Sequence, residues 1–180
     1  MPRVPAHTLD DAPKAAHDML TALRERFGKV LNVHGGMAHS PVVLAAYTGV
    51  QAAIAEHGSF DARTREAIAL AVSAVNECAY CQAAHTVAAR GAGLSPDEAL
   101  AARAGTPIEP RLDALLVVAR QATTARGEVD EPTWQQALDA GWSAEELTEL
   151  FAHVMANMFT NYFNHYAGTE LDLPAAPPTS

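Results

Sequence analysis

The stretch Glu66 to His85 holds both cysteines of the chain, one histidine and one acid. Cys78-Ala79-Tyr80-Cys81 is a C-x-x-C pair, and the two sulfurs are close enough in sequence to close a small disulfide ring. The thiolate is the reactive form of cysteine, so the question is what lowers a thiol pKa here. On a helix, residues three and four apart share a face, which puts Cys78, Cys81 and His85 on one stripe. His85 follows Cys81 by one turn and is placed to act as its base, since deprotonation needs hydrogen-bond reach. Cys78 falls near the predicted helix start, where unpaired N–H groups and the helix dipole favour an anion. Helix physics alone does not choose between the two sulfurs; the general-base argument favours Cys81. Glu66 precedes an apolar run, Ala67 to Val75, where an acid is costly to bury unless paired. It is the candidate to orient or charge-balance His85.

Other uses of these residues are open. Cys78, Cys81, His85 and Glu66 make four conceivable zinc ligands, although structural zinc sites prefer more sulfur and a knuckle-like loop. Inert buried cysteines, a plain core histidine and a solvated Glu66 are the plainer alternatives. Met155, Met158, Phe159, Tyr162, Phe163 and Tyr166 form a broad apolar stripe at helical spacing, which suits core or subunit contact. His34, His39, His153 and His165 are scattered and carry no motif. The chain shows no phosphate loop, dinucleotide fingerprint or serine-triad motif.

The elements that must position the site all read as helices. A first helix is expected from Pro13 to Phe27, then a Gly35-Gly36 loop across Lys29 to His39. Ser40-Pro41 opens a helix to His57, and Asp61 caps another through Val75. The chain turns near Cys78 into a helix ending at Gly91-Ala92-Gly93. Ser95 to Glu98 and Ser143 to Glu146 are capping boxes, and between them lie helices over Arg111 to Ala125 and from Glu131-Pro132 to before Gly141. The last long helix runs to Ala167. Residues 1–10 are expected as a loose arm and 171–180 as an irregular tail of a single domain spanning 1–180. Gly93-Leu94-Ser95 and Gly141-Trp142-Ser143 hint at an internal duplication in which one copy lacks cysteine.

Composition bounds the partners. The 180 residues are 49% hydrophobic and 18% charged, with a formal net charge of −9. That is a globular, helix-leaning composition without a basic patch, which argues against nucleic acid and anionic membranes. No apolar run reaches membrane-spanning length, and the first residues carry no apolar signal core, so a cytoplasmic protein is expected. There a C-x-x-C pair is redox-active or metal-binding more often than a structural staple.

Glu66, Cys78-Ala79-Tyr80-Cys81 and His85 together resemble the E-x11-C-x-x-C-x3-H signature of AhpD-like alkylhydroperoxidases, in the carboxymuconolactone decarboxylase superfamily. Weaker pieces are Ala38-His39-Ser40-Pro41, Asn161-Tyr162-Phe163-Asn164-His165 and Gly168 to Asp172. The resemblance implies an all-helical fold, a homo-oligomer (trimer or hexamer), and reduction of a hydroperoxide at the expense of a dithiol or protein reductant, without cofactor or metal. It implies Cys81 as the attacking thiol, Cys78 as the resolving one, and His85 with Glu66 as proton relay. Family members with a full relay carry histidine where this chain has Tyr80, a phenol too weakly acidic to serve as a base near neutrality. Tyr80 is left as a relay or substrate contact through hydrogen bonding. A non-catalytic, redox-sensing helical assembly is the competing reading; a decarboxylase-like lyase is disfavoured, because those members lack the cysteine pair.

Overall fold

The computed structural model describes residues 1–179 as helices joined by short turns, with no strand among them. A single 3-10 turn, Lys14–Ala16, leads into α1 (His17–Phe27). There follow α2 (Asn32–Met37), α3 (Pro41–His57), α4 (Ala62–Val75), α5 (Ala79–Gly91), α6 (Pro96–Ala104), α7 (Pro110–Thr124), α8 (Glu131–Asp139) and α9 (Ala144–Ala167). The all-α expectation holds. No helix among these residues is long and apolar enough to cross a membrane.

The starts of the helices follow from their first residues. Asp61, Ser95, Asp130 and Ser143 each accept a backbone N–H from the residue three positions on, satisfying a donor that the first turn leaves free. Both capping boxes close reciprocally, Ser95 with Glu98 and Ser143 with Glu146. The two Gly-x-Ser joints share one geometry. Gly93 and Gly141 have φ of 91° and 93°, a region that glycine enters without the Cβ penalty.

Helix α4 is the central post. Ala67 to Ser73 are all buried, and the small Ala67, Ala69, Ala71 and Ser73 among them suit the close packing of α5, α6, α7 and α9 around this helix. One apolar core joins α4 to α6–α9 through Ile68, Leu70, Leu115, Trp142 and Leu150. A second lies under α1–α3, with Leu20, Met37 and Leu44, and includes Cys78, Tyr80 and Cys81. The cysteine-bearing start of α5 therefore lies beside the second core while α4 faces the first.

Two expectations need revision. Lys29 to His39 is not simply a loop, because Asn32–Met37 is helical despite Gly35-Gly36. Those glycines are there for space. A Cβ on Gly35 would collide with the His7 carbonyl oxygen, and one on Gly36 would stand 3.3 Å from the Phe163 ring. Residues 1–10 form no helix, yet they lie against the body. Arg3 N–H donates to the Ala167 carbonyl at 2.8 Å, and the His39 ring reaches the Pro5 carbonyl at 2.7 Å. In the tail, no regular element follows Ala167 through residue 179, but Asp172 meets Tyr80 and the Pro177 carbonyl accepts from Arg103 of α6 at 2.6 Å. Residue 180 of that tail lies outside the described residues.

Candidate active site

The turn between α4 and α5 creates the site. Glu77 takes φ of +52°, an uncommon conformation for a residue with a Cβ, and reverses the chain within three residues. The Cys78 N–H then donates to the Ser73 carbonyl at 3.0 Å, and Cys78 becomes the N-cap of α5. Helix α9 latches the turn, with Asn76 donating to Asn161 at 2.9 Å and the His165 ring reaching the Asn76 carbonyl at 2.9 Å.

Both cysteines are free and buried, and their sulfurs lie 2.8 Å apart, hydrogen-bonded to each other. Cys78 Sγ also accepts the Cys81 backbone N–H at 3.3 Å. The Asn164 side-chain amide, from α9, donates to Cys81 Sγ at 3.1 Å and lies 3.8 Å from Cys78 Sγ. Two thiols in contact cannot both ionise cheaply, so their acidities separate. The Cys81 thiol and N–H and the Asn164 amide hold Cys78 as the thiolate and bring its pKa down to about 6, against the opposing effect of burial. Cys81 is pushed up by its hydrogen bond to that sulfur, by burial and by the neighbouring charge. The dipole argument thus describes Cys78, while access describes Cys81. A cavity of about 150 Å³ is lined by Cys81, Tyr80, His85, Glu66 and Asn164, and Cys78 takes no part in its wall.

His85 and Glu66 meet as expected, Nδ1 to Oε2 at 2.8 Å across α5 and α4. Burial works against the imidazolium, but the Glu66 carboxylate outweighs it and leaves the His85 pKa raised. No hydrogen bond joins His85 to either sulfur among the described residues; its Nδ1 turns to α4 while Cys81 Sγ turns to α9. Tyr80 departs from the relay expectation. Its hydroxyl donates to Asp172 Oδ1 at 2.6 Å, and burial and that carboxylate raise its pKa above the ordinary phenol range. Lys29 pairs with the same Asp172 at 2.9 Å. Tyr80 therefore anchors the tail through its oxygen and meets the cavity only with its body. The four-ligand zinc arrangement is not formed: among the described residues no three His, Cys, Asp or Glu side chains converge to hold a metal.

Sequence reasoning passed over three contributors. Asn164 was visible as one of three amides, Asn157, Asn161 and Asn164, spaced along one face of a largely apolar helix, which is an expensive placement unless each has a partner. Asp172 gave no signal beyond a short family-like ending. His34 was grouped with the scattered histidines, yet it is 2% exposed and lines the cavity.

The arrangement defines an all-helical protein with a buried dithiol at a helix N-terminus and a carboxylate–imidazole pair one turn further on. Residues 41–125 match the model of the carboxymuconolactone decarboxylase family, in agreement with the resemblance drawn from the motif. A structure from Ralstonia eutropha JMP134, described as an alkylhydroperoxidase AhpD core and uncharacterized peroxidase-related protein, superposes with a TM-score of 0.84 at 25% identity, covering 95% of this chain and 92% of that one. The debrominase Bmp8, solved with 2,3,4-tribromopyrrole, gives a TM-score of 0.80 at 19% identity over 94% and 91% of the two chains, a likeness of fold alone. An uncharacterized protein of Haemophilus influenzae is 40% identical over 68 residues, which is 37% of this chain and 60% of the relative.

Proposed function

We propose that the protein is a thiol-dependent peroxidase that reduces hydroperoxides through Cys81 and Cys78. The observation carrying this reading is a pair of free sulfurs 2.8 Å apart, of which Cys81 alone borders a cavity shared with the Glu66–His85 pair. In the reaction, the Cys81 proton passes to the Cys78 thiolate across their hydrogen bond. Cys81 Sγ attacks the outer peroxide oxygen, the S–O bond forms and the O–O bond breaks. The departing RO⁻ takes a proton from the His85 imidazolium, which Glu66 favours. Cys78 Sγ then displaces the sulfenic oxygen as water and closes the disulfide. The balance is two thiols and ROOH to one disulfide, ROH and H2O; a dithiol or protein reductant restores the thiols. The low Cys78 pKa suits its second role, since the resolving sulfur attacks as the thiolate, its proton going to the departing sulfenic oxygen.

A homo-oligomer belongs to this reading. Tyr162, Tyr166, Phe159 and Met155 of α9 are exposed and, with Val43, Tyr47 and Val50 of α3, line an apolar groove of about 660 Å³. A surface of that kind supports coverage by a second copy. Light scattering at micromolar concentration should report a trimer or larger; a monomer removes this part.

The peroxidase reading is tested by stopped-flow oxidation of the reduced protein with several hydroperoxides, followed by thiol counting and mass spectrometry. One intramolecular Cys78–Cys81 disulfide, reversed by dithiothreitol, is expected. Unchanged thiols, sulfinic acid alone or intermolecular dimers alone would overturn it and leave the redox-sensing assembly in its place.

A further inference from the structure

The cavity beside Cys81 has one wall that the proposed mechanism leaves unused. His34 is 2% exposed, and its Nδ1 is fully enclosed without a hydrogen-bond partner. Neither ring nitrogen is bonded to the protein among the described residues. Leaving such a group unpaired forfeits the hydrogen bonds it makes to water in the unfolded chain. A histidine kept only for packing would find a carbonyl, as His39 does at Pro5 and His165 at Asn76.

The surroundings fix this ring in place. Phe27 and Tyr47 flank it, with ring centroids at 5.2 and 5.5 Å. All three line the cavity that Cys81 borders. The backbone under His34 is α2, the short helix whose two glycines admit the N-terminal arm on one side and Phe163 on the other. That close packing holds the imidazole at the cavity. Burial, with the nearby Arg26 charge, brings its pKa down to about 4, so the ring is neutral at physiological pH, with one donor and one acceptor. In the proposed reaction the His85 imidazolium supplies the proton; His34, which lines the same cavity, offers a hydrogen bond without a charge.

We propose that His34 is a substrate-binding residue, whose ring hydrogen-bonds the oxygen of a compact organic hydroperoxide while Phe27 and Tyr47 hold its apolar body over Cys81. This rests on the peroxidase reading and names the residue that orients the substrate within it.

The test compares the reduced wild-type protein with His34→Leu and His34→Gln. Stopped-flow oxidation by cumene hydroperoxide should slow about tenfold to a hundredfold in His34→Leu, the usual worth of one hydrogen bond in a transition state, and saturate at higher peroxide. Iodoacetamide alkylation, which needs no peroxide pocket, should keep its rate and pH profile. His34→Gln, which retains a donor and an acceptor, should recover most of the oxidation rate. An oxidation rate equal to wild type in His34→Leu overturns the proposal, as does a parallel shift of the alkylation profile, which marks a structural role. Nitrogen-15 NMR of the reduced wild-type protein, titrated with the product alcohol 2-phenyl-2-propanol, reads binding without turnover. A shift of the His34 ring nitrogens is expected, and none at saturation overturns the proposal. Should the wild-type protein consume no peroxide, the peroxidase reading fails on that result alone, and the titration still decides whether His34 meets a ligand.

Discussion

The start of α5 and the starts of α6 and α9 are built to one plan with different chemistry. In α6 and α9 a serine caps the helix and a glutamate three residues on reaches back to the serine N–H. In α5 Cys78 stands in the serine position and Cys81 in the glutamate position. The sulfur at the cap still accepts the N–H three residues on, at 3.3 Å against 3.2 Å for Ser95 and 3.1 Å for Ser143. The second member has no carboxylate to return, so the Cys78 N–H goes to Ser73 instead and the Cys81 thiol turns to the first sulfur. The same dipole that steadies a neutral hydroxyl at Ser95 stabilises a negative sulfur at Cys78. C-x-x-C at a helix start has the layout of a capping box in which both side chains have become thiols.

The largest effects should come from removing sulfur from that plan. Cys81→Ser and Cys78→Ser should each cut dithiothreitol-driven peroxide turnover by about a thousandfold or more, since either loss breaks the cycle. Cys78→Ser should still oxidise once, giving a Cys81 sulfenic acid that dimedone labels. The reverse pattern, with Cys81→Ser labelled at Cys78 and Cys78→Ser inert, would show that the dipole selects the attacking sulfur rather than the cavity. Ser95→Ala and Ser143→Ala should leave turnover untouched.

Next in size are the groups that only the α5 copy carries. His85→Ala should slow peroxide reduction by about a hundredfold or more, the usual cost of losing a positioned proton carrier. Glu66→Gln should lower the raised His85 pKa. A raised histidine stabilises the fold below its unfolded pKa of about 6.5, and that stability is lost as pH rises through the folded value. The Tm gap between wild type and Glu66→Gln should therefore be widest near pH 5 and close on the alkaline side; a gap that is constant with pH would break the ion-pair account.

Asn164→Leu removes the amide that faces both sulfurs and has no counterpart at the serine caps. It should raise the first thiol pKa from about 6 and slow iodoacetamide alkylation at pH 6 by about tenfold, as expected for one hydrogen bond to a charged group. Alkylation is fastest above that pKa and falls as pH drops through it. An unchanged profile would assign the acidity to the helix start alone. Smallest is Ser143→Ala, which should cost about 1 kcal/mol and lower Tm by about 2–4 °C in a thermal melt, with no change in the thiol profile.

Much of this was legible because it is local. Proline, glycine and capping residues mark where the long helices begin and end, and the site motif falls within twenty residues of chain. The Glu66–His85 pairing was readable from an acid beside an apolar run that required a partner. What escaped was what distant segments supply. Asn164 and Asp172 are more than eighty residues from Cys81 in sequence, and no local pattern states which face of α9, or which tail residue, will meet the sulfurs or Tyr80. The α2 glycines suggested a loop because propensity counts their flexibility. The close approach of His7 and Phe163 decided otherwise. His34 could not be separated from the other histidines without knowing that its neighbours leave it unpaired.

The tie between Tyr80 and Asp172 bears on how the protein is made. Cys81 leaves the ribosome about 90 residues ahead of Asp172, and Asn164 follows it by about 80. At roughly 5–20 residues per second, several seconds pass before either can dock. During that interval the nascent chain carries an ordinary dithiol, without the amide that stabilises its charge or the tail that fixes the neighbouring tyrosine. The acidity of the pair is thus acquired late, once Asn164 has emerged and docked against the sulfurs.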